Sequence, residues 1–175
     1  MMRLVLVVPF GILLFNYGTE PTARAAAAFI FVIASLTDYA DGALARKQGL
    51  VTTFGKIADP LADKALTGVA LIGLSYLGEL PWWVTIVILA REVAVTLLRF
   101  WVIRHGVIAA SRGGKAKTAA LIVAILMYLL PLTGFLLTAR EWVMGLALIL
   151  AVVTGVDYLV RALKLRASTS GTSAS

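Results

Sequence analysis

The sequence predicts an all-α protein, a polytopic integral membrane bundle of six transmembrane helices. Hydrophobic residues make up 61% of the 175 residues, and the mean hydropathy is +0.95. Apolar runs of about 20 residues, the length of a membrane span, recur along the whole chain. A water-soluble helical fold is the alternative, but a chain of this length cannot bury so much apolar surface, so lipid is the expected solvent.

Six apolar segments mark the predicted helices, at residues 1–17, 23–45, 59–77, 81–103, 118–138 and 142–163. Each is near the length that crosses about 30 Å of hydrocarbon as a helix. The first is at the short limit, and a cleaved signal peptide is its alternative because Ala-rich sequence follows. We expect a helical membrane domain over residues 1–166 and a disordered tail of small and polar residues over 167–175.

Basic residues predict the orientation, because Lys and Arg gather on the cytoplasmic side of membrane spans. They are dense at Arg46, Lys47, Lys56, Arg104, Arg112, Lys115, Lys117, Arg161, Lys164 and Arg166, whereas the opposite loops hold only Arg24 and Arg140. Both termini are therefore expected in the cytoplasm, in a multi-pass protein of the inner cell membrane. This asymmetry also explains the net charge of +7 without a nucleic-acid partner. The absence of cysteine excludes disulfides and thiolate chemistry.

Four of the nine acidic residues, Asp38, Asp41, Asp59 and Asp63, lie in one short stretch at the cytoplasmic ends of the second and third segments. Asp38 and Asp41 are three residues apart and Asp59 and Asp63 four apart, so each pair shares a helix face. A short loop predicts antiparallel neighbouring helices, which brings the pairs together. Ionisable residues at membrane depth are costly and are functional by default.

Four carboxylates this close need cations, and oxygen ligands suit Mg²⁺ or Mn²⁺. Two such ions form a clamp for a pyrophosphate. The alternative is salt bridging of these aspartates with Arg46, Lys56 and Lys64. Pro60 leaves two possibilities for the third helix: Asp59 caps it, or it begins near Thr53 and kinks at the proline.

Together these residues read Asp38-x2-Asp41-Gly42-x2-Ala45-Arg46-x8-Gly55-x3-Asp59-x3-Asp63. This pattern matches every fixed position in the signature of the CDP-alcohol phosphatidyltransferase family, and the six-span architecture also resembles that family. Three further stretches, at residues 54–64, 91–99 and 109–118, resemble members whose acceptor is glycerol 3-phosphate. Such members usually open with an Asn-Pro-Asn-type segment, whereas this chain opens with Met1-Met2-Arg3.

The resemblance implies an enzyme that moves the phosphatidyl group of CDP-diacylglycerol to glycerol 3-phosphate, giving phosphatidylglycerophosphate and CMP. It implies that Asp38, Asp41, Asp59 and Asp63 bind two Mg²⁺ or Mn²⁺ ions. Asp63 is the implied general base, and Asp38, Gly42, Ala45 and Arg46 form the implied nucleotide site. It further implies a homodimer among membrane lipids. The alternatives are another acceptor (inositol phosphate, serine or phosphatidylglycerol) or, outside enzymes, a cation transporter.

An acceptor that is a phosphate dianion needs cations. The predicted acceptor phosphate-binding residues are Arg91, Arg112, Lys115, Lys117 and Arg161. Lys115 and Lys117 follow a Gly-Gly pair that leads into a helix N-terminus, a common setting for phosphate. The alternatives are a basic patch for anionic headgroups and, for Arg91, a structural ion pair in the bundle with Glu92 beside it.

Overall fold

The computed structural model describes residues 2–48, 53–102 and 112–172, and side chains over 5–37, 64–98 and 113–164. Six helices account for nearly all of these residues. They are α1 (Met2–Tyr17), α2 (Pro21–Gln48), α3 (Thr53–Tyr76), α4 (Trp82–Val102), α5 (Arg112–Leu129) and α6 (Phe135–Thr172). No strand occurs in the described ranges, so the predicted all-α class is confirmed.

Successive helices run in opposite directions. Arg24 near the start of α2, Glu79 in the turn after α3 and Arg140 near the start of α6 are joined by ion pairs. These helix ends therefore lie together at one end of the bundle, hereafter the turn end. The last turns of α2 and the first turns of α3 point the other way and carry the predicted aspartates, so that end is hereafter the aspartate end.

Helices α1 and α5 each pack against both α2 and α3, and α6 packs against α4 and α5. Their core is apolar, with fully buried side chains at Phe10, Leu14, Phe31, Leu71, Leu74, Ile88, Ile125 and Leu129. Small residues let the helices approach closely, as is typical of membrane bundles. At Gly73, for example, an added Cβ would stand only 2.3 Å from Leu14 Cδ2, so α1 and α3 touch there.

Several predicted boundaries differ from the observed helices; α6, for example, begins at Phe135 rather than at residue 142. The fifth segment was expected to run to residue 138, but α5 ends at Leu129, because Pro131 cannot continue a helix and Gly134 has a φ of 61°. The third helix begins at Thr53, which selects that start over an Asp59 cap. Residues 167–172 were expected in a disordered tail but continue α6 to Thr172, since extending a formed helix adds one hydrogen bond per residue fixed.

Within the described residues, the stretch Phe135–Lys164 of α6 is long and apolar enough to cross a membrane by length and composition. Shorter apolar stretches cover Val5–Tyr17, Pro21–Thr37 and Lys64–Tyr76. The first and third of these lie within predicted spans, and Pro21–Thr37 overlaps the predicted span at 23–45. The full set of six spans remains a prediction.

Candidate active site

The four aspartates lie in continuous helices. Asp38 and Asp41 belong to α2, which runs unbroken to Gln48, and Asp59 and Asp63 belong to α3. Helical backbone at all four positions supports the expectation that each pair shares one helix face. Their side chains lie outside the described residues, as do those of Gly42, Ala45 and Arg46 in the predicted nucleotide site.

The donor chemistry at the aspartate end fits hard divalent cations. The signature supplies carboxylates alone, the oxygen ligands that Mg²⁺ and Mn²⁺ prefer. Neither histidine nor cysteine, the ligands that favour softer metals, occurs in this stretch. The metal assignment itself stays a prediction.

One turn deeper in the bundle lies a cavity of about 40 Å³, which has room for a few water molecules. Four helices enclose it: α2 through Ala34 and Ser35, α3 through Lys64, Leu66 and Thr67, α4 through Glu92, and α5 through Lys117, Thr118, Leu121 and Ile122. Ala34 precedes Asp38 by one helical turn, and Lys64 directly follows Asp63. The cavity is therefore adjacent to the predicted catalytic end, and its wall carries two ammonium groups and three hydroxyls.

Glu92 is the shared hydrogen-bond partner of the cationic side chains around this cavity. Its carboxylate accepts a hydrogen bond from the ammonium group of Lys117, which is only 7% exposed, and another from Arg91 Nη1 at 2.9 Å. Its backbone carbonyl accepts a hydrogen bond from Lys64 Nζ at 3.0 Å. One residue of α4 thereby joins side chains of α3 and α5 that line the cavity.

Arg91 spans from α4 to α6. Its Nε donates to the carbonyl of Ala151 at 2.8 Å and its Nη2 to Thr154 Oγ1 at 2.9 Å. Gly155 makes room for it, because a Cβ there would stand 3.0 Å from Arg91 Cγ. The structural ion pair with Glu92, the alternative to phosphate binding for Arg91, is thus present. The phosphate role of Arg91 stays a prediction; its guanidinium group has five N–H donors, and these contacts use three of them.

The other predicted acceptor residues are dispersed. Lys115 is exposed near the start of α5, whereas the Arg112 side chain is outside the described residues. Arg161, on the last part of α6, pairs with Asp157 at 3.0 Å, and both side chains are about half exposed. Of the predicted set, the structure brings Arg91 and Lys117 together, at Glu92.

Two charged residues of the cavity wall, Glu92 and Lys64, were absent from the acceptor residues predicted from the sequence. Glu92 was noted only as a neighbour of Arg91, and Lys64 only as a possible partner of the aspartates. The signal for Glu92 was available, because an acidic residue in the middle of an apolar helix is itself a functional indication. The contact of Lys64 with α4 joins residues 28 apart, a separation that no local pattern predicts.

Comparisons with known proteins indicate the same family over most of the chain. The sequence model of the CDP-alcohol phosphatidyltransferase family matches residues 1–153. A probable phosphatidylglycerophosphate synthase of Mycobacterium tuberculosis H37Rv is 54% identical over 165 residues, covering 94% of this chain and 79% of the relative. The CDP-diacylglycerol–glycerol-3-phosphate 3-phosphatidyltransferase of Bacillus subtilis is 42% identical over 161 residues, covering 89% and 83%. The Escherichia coli K12 protein of the same name is 39% identical and covers 69% of each chain.

Proposed function

This chain belongs to the CDP-alcohol phosphatidyltransferase family, and we propose that it transfers the phosphatidyl group of CDP-diacylglycerol to glycerol 3-phosphate. The observation that carries the proposal is identity of 38–54% over most of the chain to proteins named for this activity. The products are phosphatidylglycerophosphate and CMP. The complete aspartate signature on α2 and α3 supports the same reaction.

The aspartates provide the reaction centre in this proposal. Asp38, Asp41, Asp59 and Asp63 hold two divalent cations, Mg²⁺ or Mn²⁺. When bound, these ions supply the positive charge that neutralises the pyrophosphate and stabilises the departing CMP. Asp38, Gly42, Ala45 and Arg46 bind the cytidine diphosphate, and the small side chains at 42 and 45 leave space beside the α2 backbone.

Asp63 acts as the general base. It takes the proton of the acceptor hydroxyl, whose oxygen forms a new bond to the phosphorus that carries diacylglycerol. The bond between that phosphorus and the bridging oxygen breaks, and CMP leaves with the electron pair. The protein contributes chiefly by positioning the reactants and by electrostatic stabilisation of the charge that develops.

The acceptor's phosphate binds beside the cavity at Lys64 and Lys117. The two ammonium groups are the charged donors that a phosphate dianion requires, and the Ser35 hydroxyl also lines the cavity. Lys64 directly follows Asp63 in α3, which suits an acceptor whose hydroxyl must reach that carboxylate. Lys115 and Arg161 extend the positive surface towards the cytoplasm, and Arg91 remains a candidate ligand from α4. Arg112, the first residue of α5, stays a predicted member of the acceptor site.

A bilayer is the proposed setting. Large apolar side chains lie on the outer surface of the described helices, among them Phe135 at 84%, Trp142 at 77% and Val5 at 69% exposure. In water so much exposed apolar surface would be unfavourable, whereas lipid tails solvate it. We place both termini and the aspartate end in the cytoplasm, with Trp82 and Trp83 at the outer boundary. By its family, the enzyme works as a homodimer.

The orientation is tested with single cysteines in this cysteine-free chain. In intact cells, cysteines at Thr19 and Ala139 of the turn end should react with an impermeant thiol reagent. A cysteine at Lys164, near the opposite end of α6, should react only after the cells are opened. The reverse pattern would overturn the orientation.

The reaction is tested with purified enzyme, labelled CDP-diacylglycerol and a panel of acceptors: glycerol 3-phosphate, inositol phosphate, serine and phosphatidylglycerol. We expect a product only with glycerol 3-phosphate, identified by mass as phosphatidylglycerophosphate. EDTA should abolish turnover, and Mg²⁺ or Mn²⁺ should restore it. Turnover with a different acceptor refutes the substrate assignment, whereas full activity in EDTA refutes the metal mechanism.

A further inference from the structure

Glu92 is the one carboxylate among the side chains that line the described cavity. It lies in the middle of α4, away from the aspartate signature on α2 and α3. A buried carboxylate is costly unless cations and hydrogen bonds compensate it. Here the compensation comes from Lys117 and Arg91, while the Glu92 carbonyl binds Lys64.

We propose that the Glu92 carboxylate is a positioning group, which holds Lys117 at the cavity wall so that it can receive the acceptor's phosphate. The proposal rests on the function given above. Glu92 does not contact the acceptor, since its negative charge would repel a phosphate. It acts through Lys117.

The need for such a residue follows from lysine itself. Its side chain has a long flexible stem and a compact charge, so each lysine has several reachable partners. The aspartate signature is the strongest alternative partner nearby, because the cavity that Lys117 lines also includes Lys64, the residue after Asp63 in α3. An ammonium group drawn to those aspartates would leave the acceptor site and compete with the metal ions. Glu92 retains Lys117 by charge.

Glu92 is in turn fixed from the far side. Arg91 ties the carboxylate to α6 through Ala151 and Thr154, so the carboxylate that binds Lys117 is itself held in place. A network anchored on both sides defines the position of Lys117 before substrate arrives. Binding of the acceptor then requires little further ordering of these side chains.

The test is a set of steady-state measurements on the full-length enzyme in detergent or lipid. Glu92→Gln keeps the shape and removes the charge. We expect the KM for glycerol 3-phosphate to rise about tenfold, with the KM for CDP-diacylglycerol within about twofold of wild type. Glu92→Asp keeps the charge but withdraws it by one methylene group, and should give an intermediate KM. An unchanged or lowered acceptor KM in Glu92→Gln would overturn the proposal.

Glu79→Gln is the matched control. Glu79 is also a part-buried carboxylate shared by two cations, Arg24 and Arg140, but it lies at the turn end. If general loosening of the bundle caused the effect, Glu79→Gln would raise the acceptor KM as well. We expect it to leave both KM values unchanged. Should Glu92→Gln fail to fold, the KM of Glu92→Asp decides, and a wild-type value there contradicts the positioning role.

A double-mutant cycle tests whether Glu92 changes the acceptor KM through Lys117. If Glu92 acts through Lys117, then Glu92→Gln added to Lys117→Met should raise the acceptor KM by less than about twofold beyond the single lysine mutant. Independent, multiplicative effects would contradict the proposal. Product analysis of the wild-type enzyme distinguishes failure of the proposed function from failure of the positioning role of Glu92. If the wild type does not use glycerol 3-phosphate, the proposed function fails, and the same KM comparison is made with the phosphorylated acceptor that it does use.

Discussion

Two charged clusters of similar composition occupy different levels of this bundle and have different surroundings. At the turn end, Glu79 is shared by Arg24 and Arg140, the Arg140 guanidinium lies 4.5 Å from the centre of the Tyr128 ring, and Arg24 also binds the Tyr128 carbonyl. Near the aspartate end, Glu92 is shared by Arg91 and Lys117. The charged groups of the first cluster contact one another and Tyr128, whereas the charged groups of the second line a cavity.

The difference teaches that a part-buried cluster of charges does not by itself identify an active site. Glu79 and Glu92 are both part-buried carboxylates shared by two cations. Glu79 joins the ends of four helices, which is a structural role. Only the Glu92 cluster presents donors to a space next to the catalytic signature. The surroundings of the charge therefore separate its roles, and the following changes test that separation.

The largest effect is expected at the aspartate signature. Asp63→Asn keeps the shape of the side chain and removes the base, so kcat should fall by at least about 10²-fold. Binding of CDP-diacylglycerol should largely survive, because Asp38, Asp41 and Asp59 remain. Steady-state kinetics with a lipid-binding assay measure both. A kcat near that of wild type would show that another group accepts the proton.

Glu79→Gln should produce the largest loss of stability among the changes away from the site. It leaves two part-buried guanidinium groups without their carboxylate, and their Nε atoms already lack a hydrogen-bond partner among the described groups. Removing a carboxylate that bonds charged groups costs on the order of 2–3 kcal/mol. Thermal unfolding in detergent should show a lower Tm, with kcat and both KM values of the folded enzyme unchanged. A selective loss of activity would break the proposed division between the clusters.

A pair of glycines in α6 tests how tightly Arg91 is seated. A Cβ added at Gly155 meets Arg91 Cγ at 3.0 Å and Nε at 3.1 Å, whereas one added at Gly145 meets nothing within 4 Å. Gly145→Ala should therefore stabilise the helix by about 0.5–1 kcal/mol. Gly155→Ala should lose that gain and raise the acceptor KM slightly, since it shifts the anchor of Glu92. Equal Tm changes in the two variants would mean that Arg91 moves aside without cost.

The smallest effect is expected at Arg161 and Asp157. This ion pair is about half exposed, and exposed pairs contribute about 0–1 kcal/mol. Asp157→Asn should therefore change the Tm by little. It also frees Arg161, so a fall in the acceptor KM would support the predicted place of Arg161 in the acceptor site, and an unchanged KM would argue against it.

The sequence by itself determined the fold class and the family, and it predicted the aspartate site. Apolar runs of helical length leave little choice but a helical bundle, and the aspartate spacing is local, set by 3.6 residues per turn within α2 and α3. The ends of helices were harder to predict where the sequence lacked a clear change from apolar to polar residues. The break at Pro131 and Gly134 lay inside an otherwise apolar run, and the continuation of α6 to Thr172 depends on an already formed helix rather than on the polar residues themselves.

The tertiary structure decided which charges meet. Arg91 with Thr154, Lys64 with Glu92, and Arg24 with Glu79 join residues 63, 28 and 55 positions apart. Such pairings depend on how the helices rotate and slide against one another, which packing of small residues such as Gly73 and Gly155 determines. The sequence therefore predicted Lys117 for the acceptor site, but only the packed bundle showed that Lys117 pairs with Glu92.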